Sequence, residues 1–171
     1  MRATVPIDNS LLGIKRLVLD GNPVGGRGLA ALEKYDTLTE LSLASTGLDD
    51  QSLYQLPPLP ALQKLVLDNN EINGSSVRYL SNRTELTDLS LACPLLTDLT
   101  ARTFAELRQI KRLSLAGGGL TDSGIKHLAG LENLEYLNLR QTRATADGIT
   151  ELQNALPYCQ IEWDDLPSPA R

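Results

Sequence analysis

The chain's conventional thiol nucleophiles and imidazole base are two cysteines, Cys93 and Cys159, and one histidine, His127. A thiol enzyme needs its nucleophile, base and orienting group within mutual reach. His127 lies between Lys126 and Leu128, in a segment separate from either cysteine. It reads as a solvated surface side chain. Cys93 would need a cationic neighbour to become a thiolate and reads as a structural thiol. No Cys/His set has zinc-ligand spacing, so no metal is expected. Gly25-Gly-Arg-Gly28 and Gly117-Gly-Gly119 invite comparison with phosphate loops. Neither ends in the Gly-Lys-Ser/Thr that such a loop requires, and both read as turn glycines. The acid pairs Asp49/Asp50 and Asp164/Asp165 are adjacent and unaccompanied, which suits capping and solvation rather than catalysis. The sequon Asn82-Arg-Thr84 is read as idle. No enzyme chemistry and no cofactor are therefore expected.

The elements that carry these residues follow a strict period. The pattern L-x-x-L-x-L begins at Ile14, Leu38, Leu62, Leu86, Ile110 and Leu134, and in degenerate form at Tyr158. Each start follows the last by 24 residues (38 − 14 = 24, through to 158 − 134 = 24). Six full copies run without an insertion or deletion. A period within roughly 20–29 residues and this leucine spacing resemble leucine-rich repeat solenoids. The resemblance implies an α/β fold: a right-handed solenoid with a parallel β-sheet on its concave side and short helices on its convex side. Residues 1–13 are expected to be an N-terminal cap or truncated repeat, with Val5 and Leu11 in register and Pro6 opening a turn. Residues 14–157 form six repeats, 158–163 a capping strand with Trp163 as a lid, and 164–171 a mobile Pro-rich tail. Repeat one is expected to be the less stable end.

Composition agrees. Hydrophobic residues are 42% but aromatics only 4%, which suits stacked leucines. The net charge of −5 carries no basic stripe of the kind nucleic-acid binding requires. No run is long and apolar enough for a membrane span or a leader. The repeat frame puts Cys93 and Cys159 about 14 Å apart, too far for a disulfide. Two free thiols point to a reducing, cytoplasmic location.

Within each repeat the leucines point inward, and the second half supplies the crossover that parallel strands need. Asp50, Asp98 and Asp122 share one repeat position and read as helix N-caps. Two residues on is a small column, Gly28, Ser52, Ser76, Thr100, Gly124 and Gly148, expected to let the helices sit close to the sheet. Inward pairs spaced by three follow, as in helical or 3₁₀ turns. In repeat two, Leu56-Pro-Pro-Leu-Pro60 must end the helix near Leu56. The ninth position reads Asn22, Thr46, Asn70, Pro94, Gly118 and Thr142. Pro94 and Gly118 lack a side-chain donor, so weaker loop order is expected around repeats four and five.

The outward strand positions are the binding candidates. One column reads Arg16, Glu40, Lys64, Asp88, Arg112, Tyr136. Its alternating signs suit a lateral ion-pair ladder. Hot-spot residue types collect toward the C-terminal end. The expected partner site is Arg112, Tyr136, Asn138 and Arg140, with Lys64 and Asp88 in the same column.

Two narrower resemblances add detail. Leu120-Thr-Asp-Ser-Gly-Ile125 looks like bacterial leucine-rich repeat proteins with 24-residue units, related to the ribonuclease-inhibitor-like class. Leu156-Pro-Tyr-Cys-Gln-Ile-Glu-Trp163 is similar to the closing strand of such arrays. Ile14–Asp20 and Leu56–Asn70 look like repeats of acidic leucine-rich nuclear phosphoproteins, although the long acidic tail of that family has no counterpart here. Both imply a non-enzymatic protein-interaction scaffold, and a monomer is expected. The expected partner is an acidic protein or peptide. A structural segment of a larger repeat protein, or an accessory domain of an enzyme, are the alternatives.

Overall fold

The computed structural model describes residues 13–164. The expectations for Val5, Pro6 and Leu11, and for the tail beyond residue 164, lie outside the described residues. Seven three-residue strands recur at the repeat interval: β1 (Arg16–Val18), β2 (Glu40–Ser42), β3 (Lys64–Val66), β4 (Asp88–Ser90), β5 (Arg112–Ser114), β6 (Tyr136–Asn138) and β7 (Gln160–Glu162). They form one parallel sheet in chain order, each residue opposite its equivalent 24 positions on.

The returns are helical and short: α1 (Gly26–Ala30), α2 (Asp50–Leu53), α3 (Asp98–Phe104), α4 (Asp122–Ile125) and α5 (Ala146–Ala155). Repeat three has only a 3₁₀ turn, Val77–Leu80. In repeat two α2 ends at Leu53, ahead of the prolines. Proline's missing N–H and its clash with the preceding turn explain the stop.

The core is a stack of leucine triplets facing the helical pairs. From Leu38/Leu41/Leu43 to Leu134/Leu137/Leu139 every strand triplet is buried, whereas Ile14, Leu17 and Leu19 are only partly buried. Repeat four conserves volume by exchange. Ala101 and Phe104 occupy positions held elsewhere by two aliphatic side chains, and both are fully buried. Such compensation is what a close-packed interior tolerates. At the other end Ile161 and Trp163 are partly buried against the core.

Two polar arrangements join the coils. Asn70 is buried; its amide donates to the carbonyls of Leu43 and Leu67 at 2.8 Å each. Its oxygen accepts the N–H groups of Thr46 (3.0 Å) and Leu48 (3.1 Å). In repeat four the equivalent position is Pro94, and the adjacent Cys93 thiol points to Leu67 O at 3.4 Å instead. At Gly118 an added Cβ would come within 3.1 Å of the Leu96 side chain. Leucine packing occupies the space of the missing amide.

The second arrangement corrects the capping assignment. The helix caps are the residues one earlier: Asp49 for α2, Thr97 for α3, Thr121 for α4 and Thr145 for α5. Asp50, Asp98 and Asp122 are the first helical residues, and their carboxylates reach across to the next coil. Asp98 accepts from Thr121 N (2.8 Å) and Oγ1 (2.5 Å), and Asp122 from Thr145 N (2.8 Å) and Oγ1 (2.7 Å). Asp50 accepts from Asn73 N and Ser76 N at 2.8 Å each, and from Ser76 Oγ at 2.6 Å. These bonds also account for the small residues Ser76, Gly124 and Gly148 in that column. An added Cβ at Gly124 would lie 2.2 Å from Asp98 Oδ1, and one at Gly148 2.1 Å from Asp122 Oδ1. The carboxylate of the preceding coil takes up that space.

Candidate functional site

Six of the strands present Arg16, Glu40, Lys64, Asp88, Arg112 and Tyr136 side by side, in register. The signs alternate, but pairing is uneven. Arg16 Nε lies 3.4 Å from Glu40, and Arg112 Nε lies 3.4 Å from Asp88. Lys64 stands between the two pairs with no carboxylate of the described residues within 4.0 Å. On its other side the Arg112 guanidinium lies over the Tyr136 ring, 4.7 Å from the centroid. A cation held over an aromatic face in this way is attracted by the ring quadrupole.

Lys64, Asp88, Arg112 and Tyr136 surround a depression of about 130 Å³ whose base includes Val66, Ser90 and Ser114. Small residues at that column leave the hollow open. Asn138 and Arg140 lie beyond Tyr136, outside its lining. Asn138 Oδ1 accepts the Arg140 N–H at 3.0 Å, which fixes the turn after β6.

Reading the columns only as far as repeat six misses two acids. One step of 24 beyond Asn138 and Arg140 gives Glu162 and Asp164. Arg140 Nε lies 3.4 Å from Glu162, and Gln141 N–H donates to Asp164 at 2.7 Å. Partial burial, and then its hydrogen bond to Glu162, hold the Tyr136 phenol above its ordinary pKa. Asp88, Arg112, Tyr136, Glu162 and Arg140 are thus linked across β4–β7, with the charges of both arginines balanced within the chain.

Asp20 and Asp68 are a second feature the columns hold. Asp20 Oδ1 accepts from Ser42 Oγ (2.6 Å) and Ala44 N (2.9 Å); Asp68 Oδ1 accepts from Ser90 Oγ (2.7 Å) and Ala92 N (2.9 Å). The alternation Val/Ser and Asp/Ala over repeats one to four is the sequence signal of this two-coil arrangement.

The two thiols and the imidazole lie apart from this face. Cys93 and Cys159 are buried and unpaired. Burial raises the pKa of both, that of Cys159 to about 11, so both are held as neutral thiols. His127 is in the 3₁₀ turn Lys126–Gly130, on the helical side. Among the described residues no three His, Cys, Asp or Glu side chains are grouped to hold a metal ion. No helix among them is long and apolar enough to cross a membrane.

A profile of the leucine rich repeat family matches residues 60–120. Internalin C2 of Listeria monocytogenes, a solved structure, superposes with a TM-score of 0.64 at 27% identity over 88% of this chain. The chain's fold is that of a leucine-rich repeat solenoid. The same fold occurs in a protein from Bacteroides fragilis (TM-score 0.56, 23% identity, 78% of this chain). It occurs again in a leucine-rich repeat protein of Leptospira interrogans (TM-score 0.53, 23% identity, 77% of this chain). The repeats span 62%, 44% and 38% of those three chains respectively. No curated protein matches this leucine-rich repeat chain. Seven parallel strands in one sheet with short helical returns are what it shares with the solved structures, and proteins of this architecture commonly bind other proteins.

Proposed function

We propose that the protein is a non-enzymatic interaction scaffold that takes a protein or peptide partner on the concave face of its sheet. The contact centres on Arg112, Tyr136, Asn138 and Arg140, with Lys64 and Asp88 along its N-terminal margin. The observation that carries this reading is the depression framed by Lys64, Asp88, Arg112 and Tyr136. Its side chains project from paired strands, so binding orders few groups beyond the arginines. Tyrosine and arginine are also the residue types that most often dominate binding energy.

The expected acidic partner needs one refinement. Its carboxylates would have to draw Arg112 from Asp88, or Arg140 from Glu162. A segment offering both signs, with carboxylates for the arginines and a cation for the released acids, suits this face better. Lys64 is the cation a partner carboxylate reaches without breaking a pair. The protein acts as a monomer in this reading. Its two unpaired buried thiols favour a reducing compartment.

The test is capture of a partner from the native cell by wild type and by Tyr136→Ala/Arg140→Ala. Capture should weaken at least about tenfold, roughly 1.4 kcal/mol, with an unchanged melting temperature. Full retention by the double variant overturns the assignment. A second reading, a structural segment stacked on further repeats, rests on Ile14, Leu17 and Leu19 being only partly buried where the other five triplets are covered. Concentration-dependent self-association in sedimentation would favour it.

A further inference from the structure

The four ion pairs among the described residues, Arg16–Glu40, Lys111–Glu135, Arg112–Asp88 and Arg140–Glu162, all lie on strands or at their entrances. The helical side is different. Tyr54, Arg78, Arg102 and Lys126 occupy one repeat position on four successive coils (54 + 24 = 78, 78 + 24 = 102, 102 + 24 = 126), and all four are exposed. None of the three cations has a carboxylate of the described residues within 4.0 Å. Beside them Tyr54 and Tyr79 stand 47% and 48% exposed, edge to face, with ring centroids 4.5 Å apart. Arg78 lies over the Tyr79 ring, 5.2 Å from its centroid, and donates to the Tyr79 hydroxyl at 3.4 Å. Tyr79 in turn walls a groove of about 400 Å³ formed with Leu56, Pro58, Pro60 and Leu62.

We propose that this helical side is a second docking surface, for an extended acidic protein segment. Its apolar end occupies the groove beside Tyr79, and its carboxylates lie along Arg78, Arg102 and Lys126. The fit is one of charge and shape. A chain of net charge −5 repels an acidic segment in general, so such a segment settles where cations are not already neutralised. Alternate residues of an extended peptide are about 6.6 Å apart. That step lets successive carboxylates meet long cationic side chains on successive coils. Proline and tyrosine walls favour an unbranched or prolyl end over a helix, because a rigid aromatic-lined groove suits an extended backbone.

The acids nearby moderate the attraction without cancelling it. Glu106 acts on Arg78 from beyond pairing distance, and Glu85 lines the groove. Asp122 and Glu151 flank Lys126, but the Asp122 carboxylate is engaged with Thr145. In the groove itself, Arg83 donates to the backbone carbonyls of Leu56 and Pro58 and so fixes the Pro-rich wall.

The test uses the full chain and a fluorescein-labelled peptide, Leu-Pro-Ser-Glu-Ser-Glu-Ser-Glu, against the same peptide with Gln for Glu. Anisotropy at about 50 mM salt should show the acidic peptide binding at least about tenfold more tightly than the Gln peptide. Arg78→Ala/Arg102→Ala and Tyr79→Ala should each weaken it at least about fivefold. The concave variant Tyr136→Ala/Arg140→Ala should leave it within about twofold, which separates this surface from the site proposed above. Equal binding of the two peptides, no binding up to about 1 mM, or loss only in the concave variant each overturns the proposal.

Discussion

The Asp122 carboxylate grips both donors of Thr145 on the following coil, the N–H at 2.8 Å and the hydroxyl at 2.7 Å. The same oxygen Oδ1 would lie 2.1 Å from a Cβ added at Gly148. One residue's missing side chain therefore makes room for another's bond. Asp122→Ala leaves both Thr145 donors unsatisfied and should cost about 1–3 kcal/mol. Gly148→Ala should destabilise wild type, because the carboxylate must move. In the Asp122→Ala background it should become neutral or stabilising by up to about 1 kcal/mol, since alanine outperforms glycine inside a helix. Urea denaturation of the four proteins measures the coupling. Additive effects would show that Asp122 does not set the size of residue 148.

Asn70 offers a second test of how coils are joined. Asn70→Ala would take one donor from each of the Leu43 and Leu67 carbonyls and leave the N–H groups of Thr46 and Leu48 unpaired at one stroke. The site is buried, so water cannot freely replace the amide. A loss of at least about 3 kcal/mol is expected, with Asn70→Asp only partly rescuing because it lacks the two donors. Asn22, which is exposed and among the described residues donates only to carbonyls of its own turn, should lose much less on the same change. Equal losses at the two asparagines would count against the account.

The repeat frame was legible because a 24-residue period makes every strand position a column. Registers, inward triplets and the ion-pair ladder all follow from counting. What counting missed depends on side-chain direction. Asp50, Asp98 and Asp122 have the composition of caps, yet the threonine or aspartate one residue earlier is the cap, and the column's carboxylates point across the coil boundary. A one-residue offset is invisible when both residues are good capping types. The neutralisation of Arg140 was readable by extending the column one repeat to Glu162 and Asp164. Tyr158–Trp163 departs from the leucine pattern, which hides that extension. The helical-side tyrosines share no column; they meet only because neighbouring coils place positions 54 and 79 side by side.

Trp163 is partly rather than mostly buried, packing on the core edge together with Ile161. Trp163→Ala should therefore cost about 2–3 kcal/mol, below the roughly 3–5 kcal/mol of a fully buried large aromatic. As the single tryptophan it reports on itself. Its emission should be intermediate between buried and fully exposed, and iodide should quench it incompletely. Free quenching in the native state, with no loss of stability on substitution, would remove it from the C-terminal cap.

Asp50 links stability to pH. Burial alone would raise its pKa, but bonds from Ser76 and Asn73 outweigh burial and hold the carboxyl below its ordinary value. A group whose folded pKa is depressed stabilises the native state above its unfolded pKa, and that contribution is lost as pH falls through the folded value. With an unfolded carboxyl near 4, it is complete above about pH 5 and fades below about pH 4. Asp50→Asn cannot form the charged version of these bonds at any pH. The stability gap between wild type and Asp50→Asn should therefore be widest at neutral pH and narrow steadily from about pH 5 to about pH 2. Hydrogen exchange at Ser76 N–H, which donates to Asp50 at 2.8 Å, should accelerate over the same range in wild type beyond the intrinsic pH dependence. A gap that stays constant with pH would mean that the charge of Asp50 does nothing for the junction between repeats two and three.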